Sequence, residues 1–247
     1  MRNSDNTILV TGGGSGIGRA LAQRLHDAGN RVIVAGRNMA ALRETAAGRE
    51  RITAHELDIG DPASIEAFAA RVVREHPDLN VLVNNAGVMR RENLRVRGDL
   101  ADAQETITTN LLGPIRLTNA LVEHLARQED ATIINVTSGL AFVPAAASPT
   151  YSASKAAMHA WTVCLRVQLR GAVTVVEWVP PALQTELTPG QSHREGYMPL
   201  EDFMDESMRL LAQRPLPDEI LVERVLRLRH AEAQGHFDQV LQALAQS

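Results

Sequence analysis

Six short runs rich in β-branched residues recur along the chain with longer helical stretches between them: TILVT at 7–11, RVIVA at 31–35, a weaker RITAHEL at 51–57, NVLVN at 80–84, ATIINVTS at 131–138 and AVTVVEWV at 172–179. Runs that stay apolar instead of alternating with polar residues have the composition of strands covered on both faces, as in a parallel sheet overlain by its own crossover helices. The intervening segments carry helical spacing: Leu21 and Leu25 stand at i, i+4, and Ile65, Phe68 and Val72 at i, i+3, i+7. The alternation predicts an α/β fold, a doubly wound, mostly parallel sheet with helices on both faces. Ligands of such a sheet lie at the carboxyl ends of the strands, where the strand order reverses.

With 45% apolar and 22% charged residues and no Pro/Gly/Ser-rich linker, residues 1–247 read as one domain. The rhythm breaks after the sixth run, where prolines at 180, 181, 189, 199, 215 and 217 mark a long excursion with one amphipathic segment at 200–214. Beyond it, EILVERV at 219–225 reads as an edge strand and 226–245 as a helix interrupted at Gly235. The balance of 25 basic against 29 acidic residues leaves no electrostatic footprint for nucleic acid or an acidic membrane surface. One cysteine, Cys164, excludes an intramolecular disulfide, and the eight histidines form no HExxH and no Cys/His cluster, so no metal is expected. The N-terminus lacks a secretory apolar core and no run approaches the ~18 residues of a bilayer span, so a cytoplasmic location without a membrane partner is expected.

Chemistry enters with TGGGSGIG at 11–18, between the first strand and the first helix. Gly12, Gly16 and Gly18 permit a turn with positive φ and close backbone approach to a pyrophosphate, while the following helix presents unpaired N–H groups and its positive dipole end. The Gly-x-x-x-Gly-x-Gly spacing is neither GxGxxG nor the GxxxxGK[ST] phosphate loop, and taken alone it also suits a glycine-rich turn with no ligand. Nineteen residues beyond Gly18 the second strand ends in Gly36-Arg37-Asn38, with no acid to bind a ribose 2′-OH. Arg37, assisted by Asn38, pairs there with a 2′-phosphate and points to NADP(H) over NAD(H); the competing reading is a solvated arginine at a sheet edge. Asp58 can accept a hydrogen bond from adenine, or cap a turn or the helix that starts near Pro62.

The strongest signal is Tyr151-Ser-Ala-Ser-Lys155, with Ser138 thirteen residues earlier at a strand end. Residues i and i+4 share a helix face, so the Lys155 ammonium lies near the Tyr151 phenol and is expected to lower its pKa from ~10. Tyr151 then exchanges a proton with a carbonyl or alcohol oxygen as hydride moves at carbon, and Ser138 supplies a second hydrogen bond to that oxygen.

In these motifs, and in NNAG at 84–87 and Asn110 in TTNLLGP, the chain resembles the short-chain dehydrogenase/reductase family, nearly end to end. The resemblance implies a Rossmann-type single-domain oxidoreductase with a tetrad of Asn110, Ser138, Tyr151 and Lys155, Asn110 holding a relay water and Lys155 also binding the nicotinamide ribose. It further implies a cofactor lined by Gly12, Ser15, Gly16, Ile17, Gly18, Asp58, Ile59, Asn85, Ala86, Gly87, Pro180 and Thr185, and a homodimer or homotetramer paired through the helices around 99–126 and 150–170. Pro180-Pro181 departs from the family's usual Pro-Gly and puts the backbone path before Thr185 in doubt. The C-terminal segments resemble a subgroup named after the oxidoreductase of the D-alanylation operon, a label that supplies no substrate. The alternative is a catalytically idle dinucleotide-binding redox sensor or interaction protein on the same fold. A nucleotide-sugar epimerase or dehydratase is disfavoured by chain length and glycine spacing.

The excursion at 186–214 is expected to form a lid over a small carbonyl or alcohol substrate, its apolar face carrying Leu187, Met198, Leu200, Phe203, Met204 and Met208, with Phe142 and Val143 as the opposite wall. His193 and Arg194 would anchor a substrate carboxylate. His159, Trp161 and Cys164 read as packing positions.

Overall fold

The computed structural model describes residues 1–245. Seven parallel strands form one sheet in the order β3-β2-β1-β4-β5-β6-β7: β1 Thr7–Thr11, β2 Arg31–Gly36, β3 Ile52–Glu56, β4 Leu79–Asn84, β5 Thr132–Val136, β6 Thr174–Val179 and β7 Glu219–Leu221. The central strands β2, β1, β4 and β5 feed two cores, one on each face of the sheet. On β1, Ile8 and Val10 join the helices α1 (Gly16–Asp27), α2 (Met39–Ala46), α7 (Leu200–Leu211) and α8 (Glu223–Arg229). Leu9 points the other way, into the layer of α3 (Pro62–Glu75), α5 (Gly113–Leu125) and the C-terminal turns of α6 (Pro149–Gln168). The strand order reverses between β1 and β4, so a crevice opens at their carboxyl ends.

Local chemistry sets the boundaries. Asp61 caps α3 by accepting from the Ala63 N–H, with Pro62 at the first helical position. α4 (Ala101–Ile107) runs through a π turn at Thr108–Leu112 into α5. α9 (Phe237–Ala245) closes a satellite core of Val143, Ala231 and Val240.

Two expectations are corrected here. The run 219–225 is not one edge strand: only Glu219–Leu221 pairs, and α8 begins at Glu223, whose N–H donates to Glu206 Oε1 at 2.7 Å. Val222 caps α8 and Val225 is buried on its inner face, and this packing overrides the β-branched character of the two valines. The amphipathic segment of the excursion is α7, and its apolar face is core. Phe203 and Met204 are fully buried, Phe203 stacks on Trp178 with ring centroids 5.3 Å apart, and Trp178 Nε1 donates to Ser207 Oγ at 3.1 Å. Arg24 on α1 bridges to Glu201 and Asp205 on α7. Met198 is likewise in this core, pairing with Leu183.

Candidate active site

The glycine turn is tied to the end of β4 at the crevice. Thr11 Oγ1 accepts from the N–H groups of Asn85 and Ala86, both at 3.0 Å, and Asn85 Nδ2 donates to the Thr11 carbonyl at 2.8 Å. Gly12 has φ +66°, and a Cβ there would stand 2.9 Å from Ala86 Cα; at Gly18 it would meet the Gly12 carbonyl oxygen at 2.3 Å. Only glycine allows this turn and this seating of α1. Ser15 at the head of α1 makes no side-chain capping bond, so the helix start offers its N–H groups to the cavity.

The cavity, about 570 Å³, runs from this turn to α6. Its wall includes Gly12, Ser15, Gly16, Ile17, Gly18, Arg37, Asp58, Ile59, Asn85, Ala86, Gly87, Ser138, Tyr151, Lys155, Pro180 and Thr185, which the sequence had scattered over 174 positions (185 − 12 + 1). Asp58 serves its turn as well, Oδ1 accepting from the Gly60 N–H at 2.9 Å. Despite Pro181, the chain after β6 brings Thr185 over the glycine turn, its Cβ 3.7 Å from where a Gly16 Cβ would lie.

At the other end, Lys155 and Tyr151 are buried on one face of α6, with Nζ 5.8 Å from the centre of the phenol ring. Nζ donates to the Val136 carbonyl at 2.8 Å. Burial lowers the Lys155 pKa to about 8 and pushes the Tyr151 phenol up to about 12, against a hydrogen bond with Ser138 that acts in the opposite direction. The expected lowering of the phenol by the ammonium is thus not what the protein alone provides. Desolvation is the larger of the two effects on the phenol, and the ammonium is turned toward the Val136 carbonyl. At neutral pH Tyr151 therefore keeps its proton and is available as a donor.

Two predicted residues stand just outside the cavity wall. Asn38 caps α2, Oδ1 accepting from the Ala41 N–H at 3.1 Å. Asn110, in the π turn, exchanges hydrogen bonds with Val88 (Val88 N–H to Oδ1 2.8 Å, Nδ2 to Val88 O 2.9 Å) and donates to Ser154 Oγ at 3.2 Å, so its amide is committed to structure. Of the residues proposed as substrate walls, Leu187 lines the cavity, whereas five others are placed elsewhere. Met198, Phe203 and Met204 lie in the main core, Val143 in the satellite core, and the Phe142 ring packs between His159 (4.8 Å) and the Arg229 guanidinium (4.6 Å). His193 does not line the cavity, but Arg194 does, with its guanidinium 5.0 Å from the centre of the Tyr197 ring. Sequence reasoning missed Arg91, Tyr197, Leu228 and Leu244, which are also part of the wall. Arg91, four residues past the NNAG turn at a strand's carboxyl end, carried a positional signal; Leu244 reaches the site only because α9 folds back.

A glycine cradle at a helix start, an arginine beyond the second strand and a buried Tyr-Lys pair facing one cavity fit a nicotinamide dinucleotide. The arrangement defines an NAD(P)-dependent oxidoreductase. The family model for short chain dehydrogenases matches residues 6–196, and the chain belongs to that family. It is 40% identical over 204 residues to the uncharacterized oxidoreductase DltE of Bacillus subtilis, covering 79% of each chain, and falls in the DltE-like subgroup. Sulfoacetaldehyde reductase 2 of Chromohalobacter salexigens is 34% identical over 186 residues, 73% of this chain and 74% of that protein. A solved short chain dehydrogenase from Burkholderia cenocepacia, in complex with NADP, covers 98% of both chains with a TM-score of 0.84 and 25% identity. Among the described residues no helix is long and apolar enough to cross a membrane.

Proposed function

We propose that the protein transfers hydride between NADP(H) and a small carbonyl or secondary alcohol that carries an anionic group, with Tyr151 as general acid/base. The observation that carries the reading is the buried Tyr151–Lys155 pair facing the same cavity as the glycine turn. The bound nicotinamide supplies the hydride; the chain's own residues do the rest. Tyr151 gives its phenolic proton to the carbonyl oxygen, a role suited to a phenol that stays protonated well above neutral pH. Ser138 Oγ donates a second hydrogen bond to that oxygen. Lys155 binds the ribose hydroxyls, and its charge stabilises the tyrosinate that remains once the proton has been given up. Asn110 ties the Val88 backbone to Ser154 on α6 through its side-chain amide, and so supports the helix that carries Tyr151 and Lys155.

Preference for NADP(H) rests on Arg37, whose side chain is 62% exposed at the cavity and 3.9 Å from Glu105, within reach of a 2′-phosphate. The NADP bound by the Burkholderia relative supports it. An anionic substrate is favoured by Arg91 and Arg194, both in the cavity wall. The 88–92 segment docks beside Tyr151, Glu92 N–H donating to Ala147 O at 3.0 Å and its carboxylate accepting from Thr150, which supports a role for Arg91 toward substrate. The sulfonate-bearing aldehyde named for one relative has this chemistry. A panel of short aldehydes and ketones with and without a carboxylate or sulfonate, assayed by NADPH consumption, tests the reading. Turnover lost in Tyr151→Phe with NADPH binding kept is the expected result. No turnover of any carbonyl by the wild type, with NADPH bound, would favour the idle dinucleotide-binding protein instead.

A further inference from the structure

Glu177 sits in β6 with none of its surface exposed, and a buried carboxylate is costly unless it is paired. Its two oxygens are both engaged. Thr137 Oγ1 donates to Oε1 at 2.7 Å, and His159 Nδ1 lies 2.7 Å from Oε2. The chemistry above uses none of these three residues, yet Thr137 immediately precedes Ser138 and His159 stands one helical turn beyond Lys155.

Their place in the α6 interface gives the arrangement its meaning. Lys155, His159 and Thr162 lie at i, i+4, i+7 on one face of α6. Lys155 holds the Val136 carbonyl at 2.8 Å, and Thr162 Oγ1 accepts from Asn135 Nδ2 at 3.0 Å. Between these ties, His159 reaches Thr137 through the Glu177 carboxylate. The loop leaving Ser138 folds back over the same pair, because the Phe142 ring lies edge-on to His159 and is covered by Arg229. Glu219 also approaches His159 and Glu177, the three ligand atoms lying within 4.8 Å of one another, but Arg229 already pairs with it at 2.9 Å.

We infer that Glu177 is a positioning residue: its carboxylate clamps the strand end that carries Ser138 to the helix that carries Tyr151 and Lys155, and so fixes the spacing of the two donors to the carbonyl oxygen. The inference rests on the reading of Tyr151 as the acid. The clamp needs two partners on one side chain rather than a charge. A glutamine at 177 keeps the Thr137 bond through Oε1 and offers its amide to His159 Nδ1 in the other tautomer.

The test compares the wild type with Glu177→Ala, Glu177→Gln and Thr137→Val, using a carbonyl that the wild type turns over and recording thermal unfolding, NADPH affinity, KM and kcat separately. Glu177→Ala and Thr137→Val are expected to lower kcat on the order of 10- to 100-fold, the scale of a misplacement of about 1 Å, with NADPH affinity and KM unchanged. Glu177→Gln is expected to restore turnover. Wild-type kcat in both disruptive variants overturns the inference, as does a parallel loss of kcat and NADPH affinity, which marks a purely structural role. If Glu177→Ala does not fold, the isosteric Thr137→Val decides. Tyr151→Phe is assayed alongside: its retaining turnover would remove the acid/base reading, whereas an inactive Tyr151→Phe beside a fully active Glu177→Ala removes the clamp alone.

Discussion

Lys155 is the only lysine among the 247 residues, every other side-chain cation of the Lys/Arg type being arginine, and this makes its burial measurable. Its pKa falls from 10.5 in the unfolded chain to about 8 in the fold because desolvation disfavours the ammonium. Below pH 8 both states are protonated and the fold bears the full cost of burying the charge. Above pH 8 the native state releases the proton while the unfolded chain keeps it to 10.5, so stability rises with pH across that window. Each unit corresponds to about 1.4 kcal/mol, so the step from pH 8 to 9.5 contributes about 2 kcal/mol. Tyr151 opposes this only from pH 10 upward, where the unfolded phenol ionises and the native one, at about 12, does not. The perturbation is Lys155→Met, which keeps an unbranched side chain and removes the titration. Urea unfolding of both proteins from pH 6.5 to 9.5, at constant ionic strength, should show the variant losing its stability advantage by about 2 kcal/mol over the upper part of the range. Two parallel pH profiles would refute the reasoning and place the Lys155 amine in contact with water or an anion.

Arg37→Asp should reverse the cofactor preference, with NADPH affinity falling about tenfold by titration, the lower end of the range for a charge-assisted contact since the arginine is largely exposed; unchanged affinity would free the 2′-phosphate from Arg37. Phe203→Ala should cost about 3–5 kcal/mol in chemical unfolding while leaving KM of the folded enzyme unchanged, as befits a core residue; a raised KM with little lost stability would return α7 to the role of lid. Val163 and Val167, exposed on α6 at 41% and 60%, support a homo-oligomer, so light scattering should give a multiple of 26.9 kDa, and a monomer at micromolar concentration would refute pairing through this helix.

The strands and the glycine turn were legible because their signals are local: apolar runs of strand length, and glycines spaced closely between a strand and a helix. Tyr151 and Lys155 were legible for the same reason, since i, i+4 spacing on a helix needs no tertiary information. The direction of the Tyr151 pKa was not, because a neighbouring cation can be read from spacing whereas desolvation depends on everything folded over the ring. The face of α7 illustrates a second limit. Periodicity shows that Phe203 and Met204 are covered, but Trp178, which covers Phe203, lies 25 residues away (203 − 178) on another element. Asn38, read as assisting at a phosphate, also caps α2, because cap and ligand positions coincide where a strand turns into a helix. Glu177 gave a faint signal, a lone acid in an otherwise apolar run, whose partners only the packing of α6 on β5 and β6 supplies.

The solitary lysine is also a chemical handle on the cavity. Lysine-directed reagents have one lysine target among the 247 residues, Nζ of Lys155 in the cavity wall, so side-chain modification that is scattered over the surface of most enzymes is confined here to the cavity. A small reagent such as formaldehyde with a borohydride would write its mass increment onto Lys155 only while the cavity is open, and mass spectrometry of one peptide would then report ligand occupancy without a spectroscopic label or a known substrate.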